Sequence, residues 1–397
     1  MPIPPFAVPR KDDMTPAPAR LAQLDNTTGE LTKRLLALAS RGLEEMFRAE
    51  TGEFAFTRTF TRTNGRVTAQ LAGTSLRYAA IVALGVARLP AAAQPALLGG
   101  RTLDDFIAQL ITRQANSTNL GDIALIAWCA AQTSHPLLPE AIRRLREFDR
   151  RTAPEFVVEC SWVVSALAEA RNQLDVEAYL AHARQRLLGS IVGGSPLFPH
   201  VTGPGLVKTY RDHVACFADQ VYPVQALARL HRSGDDATAL AAARRTAEQI
   251  CRLQGPGGQW WWHYDARTGA VIEGYPVYAV HQHAMAPMAL LDLAEAGGGD
   301  YSEPIRRGLH WLLHPDELGD AGEPLLLDDE GLTVRKVYRG DPRKIVRGLH
   351  TVTTRARSGL RLPIIDRIYR PTSLDRECRP YEFGWLFFTW ATDNKGR

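Results

Sequence analysis

The sequence predicts an all-α protein built as an α/α toroid, a ring of helical hairpins with short β segments in its loops. Three observations carry this prediction. Helix-length stretches joined by short turns follow one another along most of the chain. Inside them apolar residues recur at three- and four-residue steps, as in Val221, Tyr222, Ala226, Leu227 and Leu230. An approximate repeat is also visible. GLEEMFRAETGEFAF (42–56) and AEQICRLQGPGGQWWW (247–262) are each an amphipathic helix, then a Gly, then an aromatic segment. Each is followed by a loop and a second helix, at 76–89 and 281–296. Such units bury their apolar faces only by stacking on one another, and closing them into a ring buries one helix of each pair inside.

In chain order, residues 1–25 are rich in Pro and Ala and read as a loose arm. Helices are expected over 31–50, 74–89, 103–114, 122–132, 137–148, 156–170, 175–188, 219–231, 237–254, 281–296 and 302–313. The two strand candidates are 52–63 and 333–338. No internal linker divides the chain, so 26–397 reads as one toroid domain. Within it, residues 331–380 hold 13 Arg or Lys against four Asp or Glu, in a chain whose total net charge is +4. The aromatic run RECRPYEFGWLFFTW (376–390) is expected to dock the C-terminus back onto the ring.

Composition sets the outer bounds. Of the 397 residues 45% are hydrophobic and 23% charged, ordinary values for a soluble globular protein. A net charge of +4 is too small for a nucleic-acid footprint over the whole chain. No apolar run reaches the roughly 18–20 residues that span a bilayer, and the N-terminal residues lack the apolar core of a secretory signal. Cys129, Cys160, Cys216, Cys251 and Cys378 are widely spaced, with no CxxC pair. They read as reduced thiols of a cytoplasmic protein. The sequence sets no oligomeric state.

The densest chemistry lies in 257–288, which holds Trp260, Trp261, Trp262, His263, Tyr264, Asp265, Glu273, Tyr275, Tyr278, His281 and His283. Three adjacent Trp side chains diverge, so at least one is expected to line a cavity or the surface. Flat Trp faces suit the C–H faces of sugars, isoprenoid chains or cations. His263, Tyr264 and Asp265 offer acid, base and phenol close together in the chain; the competing reading is that they cap a hairpin and pack the ring. His281 and His283 stand two apart, and positions i and i+2 of a regular helix do not share a face. Neither a metal pair there nor an H-E-x-x-H pattern is expected, and no metal or cofactor is assigned. His281 is nonetheless kept as a candidate acid or base and His283 as a binding residue.

Arg211, His213, Asp219 and Gln220 belong to RDHVACFADQVYP. Asp219 is either an N-cap or a carboxylate at the mouth of the ring. Glu159 is sharper, because a carboxylate in an apolar helix needs a partner or a polar cavity. Asp122 opens a helix and reads as a cap. Arg77 and Tyr78 are in reach of the central cavity, although a solvated or packed position is the plainer reading. GxSxG, P-loop and post-strand GxGxxG patterns are all missing, which disfavours nucleophile-elbow hydrolases and dinucleotide folds.

Two resemblances follow. The hairpin plan and the segment TGAVIEGYPVYAVHQHAMAPMALLDLAEAGGGDYSEPIRRGLHWL resemble six-hairpin carbohydrate enzymes: unsaturated-uronyl hydrolases, N-acylglucosamine epimerases and the helical domain of glucuronyl epimerases. The resemblance implies a helix barrel whose open end is lined by Trp, His, Tyr and carboxylates. Gln254, Gly258 and Trp260 also match the Q-x3-G-x-W spacing of the terpenoid cyclase and prenyltransferase toroid, without a DxDD acid.

The leading expectation is a carbohydrate-active enzyme, a glycoside hydrolase, polysaccharide lyase or sugar epimerase, acting on an acidic oligo- or polysaccharide. Its candidate acids and bases are His263, Tyr264, Asp265, Asp219, Glu159 and His281. Its candidate binding residues are Trp260, Trp261, Trp262, Tyr275, Tyr278, Gln220, Arg211, His213 and His283. Sugar hydroxyls need many polar partners, which this segment supplies. The alternatives are a terpenoid cyclase, favoured by an apolar aromatic cavity, and a non-catalytic glycan-binding protein, favoured by a shallow groove without acid and base. The expected partner is a small-molecule or glycan substrate.

Overall fold

The computed structural model describes residues 20, 25–149, 152–319 and 322–391. Most of the expected N-terminal arm therefore lies outside the described residues. The helices are α1 (Asn26–Met46), α2 (Leu76–Val86), the short α3 (Gln94–Leu97), α4 (Leu103–Gln114), α5 (Leu120–Gln132), α6 (Leu138–Phe148) and α7 (Val157–Ala170). They continue with α8 (Glu177–Gly189), α9 (Ala218–Gly234), α10 (Ala237–Arg252), α11 (Ala286–Glu295) and α12 (Ser302–Trp311). The last three are α13 (Ile345–Ala356), α14 (Pro363–Ile368) and α15 (Pro380–Trp390).

Polar caps set where several of these begin. Asp25, Ser75, Thr102, Asn119 and Asp236 each accept a backbone N–H of the first turn of α1, α2, α4, α5 and α10. The helix expected from residue 74 accordingly starts at 76, one residue after its cap.

The helices fall into two kinds. In α5 and α7 apolar or small residues occupy almost every position, and nearly all are buried. A helix that is apolar all round belongs inside. By contrast α4 buries only one stripe, Leu103, Phe106, Ile107, Leu110, Ile111 and Gln114. Packing follows this division. The inner helices α2, α5, α7, α9, α11 and α15 touch in that order, and α15 closes the circle against both α11 and α2. The outer helices α1, α4, α6, α8, α10 and α12 each back onto the ring. This is an α/α toroid. The aromatic run near the C-terminus forms α15, whose Trp385 and Phe388 meet Trp128 of α5 across the ring.

The strands are short and decorate the loops. Among them are β1 (Phe47–Arg48), β2 (Glu53–Thr63) and β3 (Arg66–Thr74), which with β12 (Glu377–Cys378) form a sheet in the order β1-β2-β12, β3 pairing with β2. β3 is almost wholly exposed and was not legible as a strand. β4 (Val214–Cys216), β5 (His263–Asp265) and β6 (Val271–Glu273) form a second antiparallel sheet. β7 (Val277–Tyr278), β10 (Lys336–Tyr338) and β11 (Ser373–Asp375) form a third, and β8 (Leu326–Leu327) pairs with β9 (Leu332–Thr333). The basic stretch contributes β9, β10, β11, β12, α13 and α14, and composition did not reveal its two helices.

Two details tie the ring together. The Gln254 amide donates to the carbonyls of Gly258 and Pro304, both at 2.9 Å, which joins the end of α10 to the start of α12. Trp260 is fully buried beside Gly308. The Q-x3-G-x-W spacing is thus a helix-end fastening here. At the end of the ring where the inner helices finish, Arg20 donates to Asp292 at 2.6 Å and to Glu295 at 2.5 and 2.9 Å. Arg229 of α9 pairs with Glu169 and reaches Asp292 at 3.5 Å.

Candidate active site

The inner helices run in one direction, so their first turns meet at one end of the ring. Arg77 on the first turn of α2 shows this most directly. Its Nε donates to Asp122 at 3.1 Å and its Nη2 to Glu159 at 2.8 Å, with Asn119 as a third acceptor. One guanidinium therefore joins the starts of α2, α5 and α7. Its face lies 5.0 Å from the Trp162 ring. Burial alone pulls the Arg77 pKa down, but Glu159 and Asp122 together raise it above its usual value. Asn119, rather than Asp122, caps α5, and this frees the Asp122 carboxylate to reach Arg77. Glu155, just before α7, has its carboxyl pushed up by burial and then by the neighbouring Glu159 charge.

The next stretch of wall comes from α9 and the loop before it. Asp219 is fully buried and accepts the Cys216 backbone N–H at 2.6 Å. Its two oxygens lie 3.1 and 3.0 Å from Nδ1 of His200. Burial opposes the His200 charge, but Asp219 outweighs it and raises the pKa. The His200 ring rests against Phe156, with centroids 5.1 Å apart. Gln220 does not reach the mouth. Its amide makes two hydrogen bonds, 2.9 and 3.0 Å, to the backbone of Phe198 and so pins the loop to α9.

An aromatic wall follows at the start of the fifth inner helix. The Trp262 ring stacks on His281 (centroids 5.7 Å, planes 13° apart) and meets Tyr278 at 4.8 Å. Of the three Trp, Trp262 lines this wall, Trp260 is core, and Trp261 packs edge-on against Tyr275. His281 is held near a pKa of 3 by burial and by Arg335, so its imidazole is neutral. It begins a π-helical turn, His281–Met285, that leads into α11. His283 is buried two residues on, with neither ring nitrogen hydrogen-bonded.

The last wall is charged. Arg335 sits 5.3 Å from the Tyr278 ring and Lys336 5.5 Å from it. Arg379 donates to the Tyr78 hydroxyl at 2.7 Å and pairs with Glu377. Tyr78 in turn packs against Tyr381 at 4.5 Å, bringing the starts of α2 and α15 together. Glu382, one turn into α15, is fully buried. Burial pushes its carboxyl up to about 8, against the pull of Arg335 and Arg379. A carboxyl that keeps its proton when folded and loses it when unfolded makes stability fall as pH rises from the ordinary carboxyl range through about 8. Glu382→Gln is expected to remove that fall. Urea midpoints of both proteins at pH 5 and pH 9 check it.

The other sequence candidates are placed elsewhere. Asp265 is the buried last residue of β5, where Arg267 of the following turn grips it through Nε at 2.9 Å and Nη2 at 2.8 Å. Burial opposes its charge, but the Arg267 hydrogen bonds hold its carboxyl below the usual range. Tyr264 faces the core. His263 is buried, has no partner at Nδ1, and is held neutral by burial and nearby arginines. His213 docks on Thr354 of α13 at 3.1 Å. Arg211 is exposed on a short 3-10 turn, and Tyr275 donates to Glu317 at 2.7 Å. Glu273 is taken up by His350 at 2.7 Å and Arg339 at 3.1 Å. The starts of the inner helices and the segments just before them thus carry Glu159, Asp219, Trp262, Tyr278 and His281, while Asp265, Tyr264 and His213 are taken up by other partners or by the core. Sequence reasoning missed His200 and Glu155, and reached Arg335 and Arg379 only as members of the basic stretch. Of these only Glu155 carried a local signal, a second acid four residues before Glu159.

Comparison with known proteins agrees with the fold. No protein-family model and no curated protein matches the sequence. Solved structures do match. The unsaturated glucuronyl hydrolase of Bacillus sp. GL1, described as responsible for glycosaminoglycan degradation, aligns with a TM-score of 0.51 at 12% identity, over 93% of this chain and 100% of that one. An unsaturated glucuronyl hydrolase specific for heparin aligns at 0.55 and 13%, over 90% and 96%. A possible member of the GH105 family from Salmonella enterica aligns at 0.54 and 12%, over 91% and 93%. At these identities the likeness is one of fold, and it establishes that the six-hairpin resemblance read from the sequence is structural.

Proposed function

We propose that this protein is a carbohydrate-active hydrolase that cleaves a glycosidic bond of an acidic oligosaccharide at the mouth of the ring. The observation that carries the reading is the joining of Glu159 and Asp122 through Arg77 at the starts of three inner helices, together with the aromatic cluster of Trp262, Tyr278 and His281 before another inner helix, α11. Hydrolysis needs one carboxyl group that holds a proton and one that does not. Glu155 and Glu159 lie close enough to share one proton, and the pair delivers it to the leaving oxygen. Glu159, ion-paired to Arg77, activates the attacking water. One water is added across the bond, and the proton balance is restored between the two carboxyls. Trp262 supplies a stacking face for a sugar ring. Arg335, Lys336 and Arg379 are paired with Asp375 and Glu377, and the net positive charge that remains suits a uronate or other anionic group. The neighbours named for unsaturated glucuronyl hydrolysis support the hydrolase branch over the lyase and epimerase branches.

The charged rim argues against an isoprenoid substrate, which has few polar groups to satisfy such residues. The free cysteines support a reducing, cytoplasmic setting. Among the described residues no helix is long and apolar enough to cross a membrane.

Incubation with unsaturated-uronate and saturated acidic oligosaccharides, read by mass spectrometry, tests the proposal. Products heavier than the substrate by one water in total are expected. Glu159→Gln is expected to lower kcat by about 10²–10⁴-fold. Trp262→Ala is expected to raise KM by roughly threefold to tenfold, the worth of one stacking contact. Products lighter by one water than hydrolysis requires, or full turnover by Glu159→Gln, would overturn the assignment.

A further inference from the structure

We propose that His200, Cys216 and Asp219 form a binding site for a single zinc-type divalent metal ion. The imidazole nitrogen, the thiol sulfur and a carboxylate oxygen all lie within 4.8 Å of one another. Bond lengths of roughly 2.0–2.3 Å from zinc to such atoms place neighbouring ligands about 3.3–3.7 Å apart in a tetrahedron. The His200–Asp219 edge, at 3.0 Å, is already that close, and the Cys216 sulfur lies within 4.8 Å of both.

The three residues are held from independent directions. His200 comes from the loop that Gln220 pins by two hydrogen bonds. Cys216 ends β4, and Asp219 lies in the first turn of α9. The spacing Cys-x-x-Asp is fixed by the hydrogen bond from the Cys216 backbone to Asp219. A second observation points to the same place. β4 and β5 pair so that His263 stands directly opposite Cys216. Directly opposed residues of an antiparallel pair project from the same face. His263 is 94% buried by its relative exposure of 6%, and its Nδ1 has no hydrogen-bond partner. An unpartnered buried nitrogen is costly unless something completes it. His263, opposite Cys216 across the strand pair, is the group we assign to a fourth position.

The ligand chemistry selects the ion. One thiolate, one carboxylate and neutral imidazole sum to two negative charges, which a divalent ion neutralises in this buried setting. A thiolate with imidazole favours zinc over magnesium or calcium, which prefer all-oxygen sites. Binding releases to solvent the Cys216 thiol proton and any second proton carried by the His200 ring. The sequence had assigned no metal, because its three ligands are spread over a loop, a strand and a helix with no recognisable spacing.

The test needs no substrate and is therefore independent of the hydrolase reading. The full chain is stripped with a chelator, dialysed against zinc chloride, freed of unbound metal and assayed for zinc. One equivalent per chain is expected. Cobalt(II) in place of zinc is expected to give visible bands of a tetrahedral site and a thiolate-to-cobalt charge-transfer band. Cys216→Ser should abolish that band and weaken zinc binding by at least about tenfold, as should Asp219→Asn. Cys251→Ser should change neither. Less than a tenth of an equivalent of zinc, cobalt without a thiolate band, or unchanged binding by Cys216→Ser overturns the site. Should Cys216→Ser fail to fold, the cobalt spectrum of the natural protein decides alone.

Discussion

Replacing Asp292 by Ala is expected to lower unfolding stability by about 3–5 kcal/mol, the cost of breaking a buried ion pair from one side. Asp292 is fully buried and shared between Arg20 at 2.6 Å and Arg229 at 3.5 Å. Removing it leaves two guanidinium groups in the interior short of a counter-charge. Burial opposes the Asp292 charge, but Arg20, Arg229 and Arg232 outweigh it and hold the carboxyl near 2. A depressed carboxyl stabilises the fold above its unfolded range near 3.8, and that contribution is lost as pH falls through about 2. Urea unfolding at pH 7 should show the full difference between the natural protein and the variant. The difference should shrink in strong acid. An unchanged urea midpoint at pH 7 would show that the cluster contributes nothing to stability.

Gly85→Ala is the second large effect. A Cβ at Gly85 would stand 2.1 Å from the Gly384 carbonyl oxygen, and a Cβ at Gly384 would stand 2.7 Å from that of Ile81. Both obstacles are backbone, so α2 and α15 cannot yield by turning a side chain. Overpacking a core typically costs 1–3 kcal/mol, and here the helices themselves must separate. A loss of at least about 2 kcal/mol is expected. The control is Gly348→Ala in α13, where an added Cβ meets nothing within 4 Å. There the expected change is a gain of roughly 0.5–1 kcal/mol from helix propensity. Equal thermal midpoints for the two variants would contradict the close approach.

Much of the ring was legible because burial leaves a local trace. Helices α5 and α7 are apolar on all sides and α4 only on one, and this alone sorts inner from outer. Glu159 was legible for the same reason, as a carboxylate in an apolar helix. Its partner was not, since Arg77 lies 82 residues away and nothing local marks it. The His200–Asp219 contact is hidden likewise, the two joined only by the loop that Gln220 holds. Asp265 shows the opposite failure. It looked chemical beside His263 and Tyr264, but its partner Arg267 stood two residues on, closing a turn. The Trp triplet behaved as side-chain alternation requires, with only Trp262 stacked on His281 at the mouth. The helix α13 escaped notice because three of the four residues it buries, His350, Thr351 and Thr354, are polar, and only Val346 is apolar.

The closing helix has a consequence for how the protein is made. α15 spans 380–390, yet its nearest inner neighbours include α2 at 76–86. Five apolar inner helices therefore leave the ribosome before the sixth exists to seal them. Until then the flanks of α2 and α11 that α15 will cover are open to water. A contact spanning some three hundred residues makes closure a late and slow event, because long-range contacts form only after their loop entropy is overcome. Nascent chains arrested short of residue 380 should bind chaperones, and release of the full chain should free them.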